Sequence, residues 1–122
     1  LLGEMGGRGN DAVELIRMTA EYCLSLNYLT IVEGLMNKDT YGSMLRTLVG
    51  KYPSTVVYFD IPLEETLKRH QTRKHKYSFD ESKMRDWYRN NDRLGVENEI
   101  IIGPELSANQ SVGLIFDSVS SK

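Results

Sequence analysis

Tyr28-Leu29-Thr30-Ile31-Val32-Glu33-Gly34 decides how this sequence is read. Leu29 to Val32 is a short apolar run, partly β-branched, and it stops abruptly at a carboxylate and a glycine. A run that is apolar on both faces predicts a buried strand of a parallel sheet. Ligands of open parallel sheets bind outside the carboxyl ends of the strands. Glu33 is therefore expected either to meet a ligand there or to end the strand as a solvated acid. Gly34 lets the backbone turn away without a Cβ clash.

On either side of this run the apolar residues fall at helical spacing. Asp11-x-x-Glu14 has the form of a capping box with Asp as the cap. Val13, Ile16, Ala20, Cys23 and Leu24 follow on one face, with Ala12, Leu15 and Leu26 widening it, so a well-buried helix is expected. After Gly34, Asp39 or Thr40 can cap a helix whose stripe is Tyr41, Met44, Leu45, Leu48, Val49 and Tyr52, stopped by Pro53. Thr55 to Ile61 predicts a second strand ending near Asp60. Pro62, Glu64 and Glu65 then suit the start of a helix that reaches about Arg73. Ser78-x-x-Glu81 is a capping box for another helix, with Met84, Trp87, Tyr88 and Leu94 on its apolar side and Gly95 closing it. Glu99 to Ile102 predicts a third strand, and Ser107-x-x-Gln110 caps a last helix carrying Val112, Ile115, Phe116 and Val119. Strands alternating with helices predict an α/β fold, a three-layer parallel sheet with helices on both faces, in one domain over residues 1–122.

The totals set limits. Hydrophobic content of 40% and charged content of 26% describe an ordinary globular chain. No apolar run approaches the ~20 residues that span a bilayer, and residues 1–5 show no signal peptide, so a cytoplasmic protein with no membrane partner is expected. The single Cys23 is expected to be a buried, inert thiol in a reducing compartment. A net charge of −2 argues against general nucleic-acid binding. Yet Lys68, Arg69, Arg73, Lys74 and Lys76 crowd into nine residues, with Arg85, Arg89 and Arg93 soon after. A local basic patch on a mildly acidic chain suits a small anionic ligand better than a long polyanion.

Arg69 and Arg73 share one helix face, and Arg85 and Arg89 share a face of the next. Four forked, permanently charged guanidinium groups could be gathered on phosphate oxygens, as phosphoryl transfer requires. Alternatively they form surface pairs such as Glu65–Arg69. His70 and His75 have no metal-ligand spacing and are expected at the surface. Trp87 could stack on a base, although its spacing with Met84 and Leu94 favours core packing.

Taken in order, Ile31-Val32-Glu33-Gly34, Tyr41-Gly42-x-Met44-Leu45, the run from Tyr58-Phe59-Asp60-Ile61-Pro62-Leu63-Glu64-Glu65-Thr66-Leu67-Lys68-Arg69-His70 to Thr72-Arg73, and Phe79-x-x-x-x-Met84-Arg85-x-Trp87-Tyr88 resemble the small bacterial P-loop kinases of the uridine-kinase-like and zeta-toxin-like groups. The resemblance extends from about Gly9 to Val119. It implies an ATP-dependent kinase of nucleoside-like small molecules, with ATP and Mg2+ as cofactors. Glu33 would lie near the magnesium and the accepting hydroxyl. Residues 68–94 would form a helical lid whose Arg69, Arg73, Arg85 and Arg89 hold phosphate, with Arg73 and Glu33 catalytic. Arg8, Asp39 and Tyr41 would face the phosphoryl acceptor, and no protein residue is assigned as a metal ligand.

The sequence departs from that family at its front. Gly3 to Gly9 carries glycines but no Lys-Ser/Thr and no preceding strand, so the phosphate loop is missing. With the Leu1 start, this predicts a kinase fold that is incomplete at its N-terminus. A sheet without its central strand would expose apolar edges, and the chain would then be unstable alone or paired as a homodimer. The alternative function is a catalytically inactive α/β module that binds a nucleotide or a protein.

Overall fold

The computed structural model describes residues 9–72 and 80–121. Two compact units divide the chain, Leu1–Ser54 and Thr55–Lys122.

The first unit is a helix pair. α1 spans Gly9–Ser25 and α2 spans Lys38–Lys51. Ala20, Met44 and Leu48 form its buried centre, with Val13, Ile16, Val32, Tyr41, Leu45 and Tyr52 packed around them. The stripes read from the sequence thus supply most of this core. The helix ends differ from expectation. α1 begins before Asp11, which therefore lies inside its first turn. Asn37, not Asp39 or Thr40, caps α2, its side chain accepting from the Thr40 N–H at 2.9 Å. Tyr52 is extended and its N–H closes α2 on the Leu48 carbonyl; the following Pro53 bars αR from Tyr52. α1 is also less buried than its apolar arc suggested, because Leu15 and Leu26 face solvent.

At the end of α1 the N–H of Tyr28 reaches the Cys23 carbonyl and the N–H of Asn27 reaches that of Leu24, with Asn27 at a φ of 63°. This is a left-handed helix stop, a role Asn tolerates better than most residues. It turns the chain into an extended segment at 28–33 that belongs to no sheet among the described residues.

The second unit holds what sheet there is. β1 (Val57–Phe59) pairs in parallel with β2 (Ile100–Ile102), in the register Val57↔Ile100 to Phe59↔Ile102. The Ile100 N–H to Val56 carbonyl bond (2.9 Å) and the Asp60 N–H to Ile102 carbonyl bond (2.8 Å) extend the ladder at both ends. Parallel neighbours need a crossover. α3 (Leu63–Gln71) and α4 (Glu81–Trp87) lie in it, and α5 (Ala108–Ser120) follows β2. Among the described residues of this unit, Leu67, Leu94 and Ile102 are the buried apolar side chains, Ile102 being 2% exposed.

The expected three-layer parallel sheet, P-loop-like with helices on both faces, is therefore not what this chain forms. Among the described residues there are five helices and a two-stranded sheet. The reason lies in the opening stretch. Leu29 and Ile31 are 81% and 80% exposed, and a β-branched run becomes a strand only when a partner supplies the ladder. α4 also ends sooner than expected, at Trp87, so Leu94 and Gly95 belong to the loop before β2. Asp80 caps α4; Ser78, the expected cap, lies outside the described residues.

α5 has the expected reciprocal cap between Ser107 and Gln110 but turns the other way. Ser111 is buried, Ile115 and Ser118 are half-buried, and Val112, Phe116 and Val119 are exposed. The Ser118 and Thr55 hydroxyls lie 3.3 Å apart, a polar contact between α5 and the approach to β1.

Candidate functional site

The predicted site residues fall in both units. In the first, Glu33 is exposed at the end of the extended segment. Gly34 follows with a φ of +148°, so the turn that the Glu-Gly pair predicted is present although the strand is not. Asp39 is exposed in the first turn of α2. Tyr41 sits one turn into that helix and packs on the Ala20–Met44–Leu48 centre, a core position for a residue expected to face an acceptor. Arg8 lies outside the described residues.

In the second unit, Asp60 follows β1 and the chain passes through Ile61-Pro62 straight into α3. The Arg69 side chain stays on α3, its Nε donating to Glu65 Oε1 at 3.1 Å, while Nη2 donates to the Pro104 carbonyl beyond β2 at 3.3 Å. Arg85 projects from α4 to Glu81 on its own helix (2.8 Å) and to Glu64 on α3 (3.2 Å). Those acids, the hydrogen bond to Glu81 foremost, hold the Arg85 guanidinium even more firmly protonated than usual. Arg69 and Arg85 thus meet adjacent residues, Glu65 and Glu64, in the first turn of α3. Arg89 turns back on its own backbone, donating to the carbonyls of Asp86 and Tyr88. Arg73 and His75 lie outside the described residues, as does the centre of the expected 68–94 lid.

Several polar anchors near these groups were not legible beforehand. The Tyr88 hydroxyl donates to the Ile61 carbonyl at 2.9 Å, tying the end of α4 to the segment that leaves β1. Burial, and then the neighbouring Tyr58 and Asp60, push the Tyr88 phenol upward. The Tyr58 hydroxyl accepts from the Asp92 N–H at 2.9 Å. Glu99 accepts from the N–H groups of Leu94 (3.0 Å) and Gly95 (2.8 Å), clamping the loop before β2. The positive φ of Asn91 was one available signal for that loop's tight path only after folding; in the sequence, Asn90-Asn91-Asp92 and Gly95 announce a turn. His70 was expected at the surface and is instead buried, 8% exposed. It sits three residues after buried Leu67, on the same side of α3.

The chemical capacity of this arrangement is narrow. Arg69 and Arg85 could exchange carboxylate for phosphate oxygens, since both are charged, exposed and forked. Glu33, in the first unit, is a single exposed carboxylate. Among the described residues no cluster of three or more His, Cys, Asp or Glu side chains is arranged to hold a metal ion. Cys23 is half-buried on α1. No helix of the described residues is long and apolar enough to cross a membrane. Comparison with protein-family models, with curated proteins and with solved structures gave no match in any of the three.

Proposed function

We propose that the chain derives from an ATP-dependent kinase that transfers phosphoryl to the hydroxyl of a nucleoside-like small molecule in the cytoplasm, and that this stretch, which carries no phosphate loop, supplies the acid and the arginines of that machinery and does not catalyse unaided. The observation that carries this reading is the pair of guanidinium groups at the start of α3. Arg69 and Arg85, from successive helices, both dock on the Glu64–Glu65 turn that follows the carboxyl end of β1. The guanidinium fork matches phosphate oxygens as well as carboxylate oxygens, so in this reading a phosphate takes the place of the glutamates. In this reading Arg69, Arg85 and Arg73 neutralise the charge of the transferring group, and Glu33 orders the metal's water shell or accepts the hydroxyl proton. Magnesium bound to ATP would supply charge neutralisation on the phosphate oxygens. Asp39 and Arg8 would face the acceptor. A mildly acidic chain of net charge −2 makes a nucleotide a better partner than a nucleic acid.

The test is acceptor-dependent ADP release by the whole protein with magnesium, ATP and a panel of nucleosides, sugars and hydroxyl-bearing antibiotics. Arg73→Ala and Glu33→Gln are each expected to lower the rate by ~100-fold, the scale of removing one charge-stabilising group. Unchanged rates in both would overturn the assignment.

One observation favours the alternative of an inactive nucleotide- or protein-binding module: Arg69, Arg85 and Arg89 each already hold an acceptor within the fold. That alternative predicts a rise in melting temperature with Mg·ATP and no turnover with any acceptor.

A further inference from the structure

Residues 28–33 run extended and pair with no strand among the described residues. Among the described residues, no backbone hydrogen bond is made by Leu29, Thr30, Ile31 or Val32. The side chains alternate as a strand's do. Thr30 and Val32 are half-buried, Val32 against the α1–α2 centre, while Leu29 and Ile31 point to solvent. Unpaired N–H and C=O groups flanked by exposed apolar side chains form a template for another strand.

We propose that the strand that fills this place is the same stretch of a second copy of the chain, laid antiparallel across a two-fold axis at Thr30. The sequence is self-complementary in that register. Leu29 falls opposite the partner's Ile31, Tyr28 opposite the partner's Val32, and Thr30 opposite itself, so apolar side chains meet apolar ones on the open face. Residues 26–32 carry no charge, and Glu33 falls beyond the last pair. Neither copy therefore sets a like charge against the other, and a net charge of −2 adds little repulsion. The pair uses the Leu29–Ile31 edge of each copy; on the opposite edge the Tyr28 N–H already bonds the Cys23 carbonyl and the Thr30 hydroxyl bonds the Tyr28 carbonyl, which interrupts the ladder a third strand would need, so the assembly closes at two chains. This inference is independent of the kinase reading.

Sedimentation of the full chain over a ~100-fold range of concentration tests it. The expected result is a monomer–dimer equilibrium that stops at two. Ile31→Lys, a change at a solvent-facing position, shifts it to monomer with the helical circular dichroism unchanged. Met18→Lys, on the exposed side of α1, leaves it alone. As a second reading of register, Leu29→Cys and Ile31→Cys chains, both carrying Cys23→Ser, are mixed and mildly oxidised. Mixed disulfides should exceed the roughly twofold excess over either homodimer that random pairing of an equal mixture gives, because directly opposed positions come within disulfide reach. A chain monomeric throughout, growth beyond two, a dimer indifferent to Ile31→Lys or dissolved by Met18→Lys, or a preference for like-with-like disulfides would each overturn the proposal. So would a chain that stays monomeric but binds an unrelated apolar strand peptide.

Discussion

Gly34 carries the conformation that the Glu33 turn needs. Its φ of +148° lies where an L side chain is strained, and a Cβ placed there would meet only Met36 Cε at 3.9 Å. The obstacle is thus backbone strain and not lack of room. Gly34→Ala should lower stability by ~1–3 kcal/mol, read from urea denaturation. Gly42→Ala is a less clean comparison, since the added Cβ would press on Lys38 and Arg46. Glu99 offers a second residue-level test. Both its oxygens accept backbone N–H groups, at Leu94 and Gly95. A Gln there keeps one acceptor and turns the other into a donor facing a donor. Glu99→Gln should therefore cost ~1–3 kcal/mol, with amide exchange quickened first at 94–95. Of these residues, Gly34 was legible because an acid followed by a glycine after a β-branched run can do little but turn. Glu99 was not, because a carboxylate at a strand entrance looks solvated until the loop folds back onto it. His70 was hidden in the same way by Lys68, Arg69 and Arg73 around it, which make its surroundings read as surface.

Helices proved legible where one face had a single use. α2 buries the stripe its spacing announced, and the Ser107–Gln110 box starts α5 where the sequence put it. Ser107→Ala removes the acceptor for the Gln110 N–H and the first half of that reciprocal pair, and should lower the melting temperature by the equivalent of ~1 kcal/mol. The face of α5 was not legible, because the structure buries Ser111 and leaves Phe116 67% exposed. Apolar spacing shows which residues share a side, not which side meets the rest of the unit. Electrostatics at the element scale concern α1 and α2. Glu21 on α1 accepts from Lys51 at the end of α2 (2.8 Å) and from Arg17 one turn back. Lys51's hydrogen bond, first among several causes, holds the Glu21 carboxyl below its usual value despite partial burial. A depressed carboxyl stabilises the fold above its unfolded pKa of ~4.3. That contribution goes as the pH falls through the lower folded value. Stability of the α1–α2 pair should therefore be level near neutrality and decline on acidification below about pH 4. Glu21→Gln should flatten that part of the profile, and thermal melts at a series of pH values will show whether it does.

For the molecule as a whole, the sequence promised a sheet large enough to hide its strands, and the described residues form a pair of three-residue strands instead. Alternation of strand-like and helix-like segments set the α/β expectation, which the structure overturns: the strands expected after α2 and before α5 are present in short form, but none lies between α1 and α2. It could not show that Leu29–Val32 would find no ladder, since pairing is decided by partners far away in sequence. The consequence is apolar surface in each unit. Leu29, Ile31 and Leu35 are exposed in the first, and Phe59, Val112 and Phe116 in the second. Exposed apolar groups of this number promote association unless charge keeps copies apart. Here the charge is small, −2 at pH 7, and it vanishes near the sequence pI of 5.7. Light scattering should accordingly be least at pH 8–9 by a rough extrapolation of that charge, and should climb steeply as the pH approaches the pI. Added salt should raise scattering on the alkaline side, where it screens like charges, and change it little at the pI itself. Phe116→Lys both removes an apolar group and moves the chain toward neutrality at pH 7. If apolar contact dominates, this variant scatters less than the parent even above the pI, where the added Lys lowers the net charge; if charge alone governs, it scatters more there, because its whole curve shifts to higher pH.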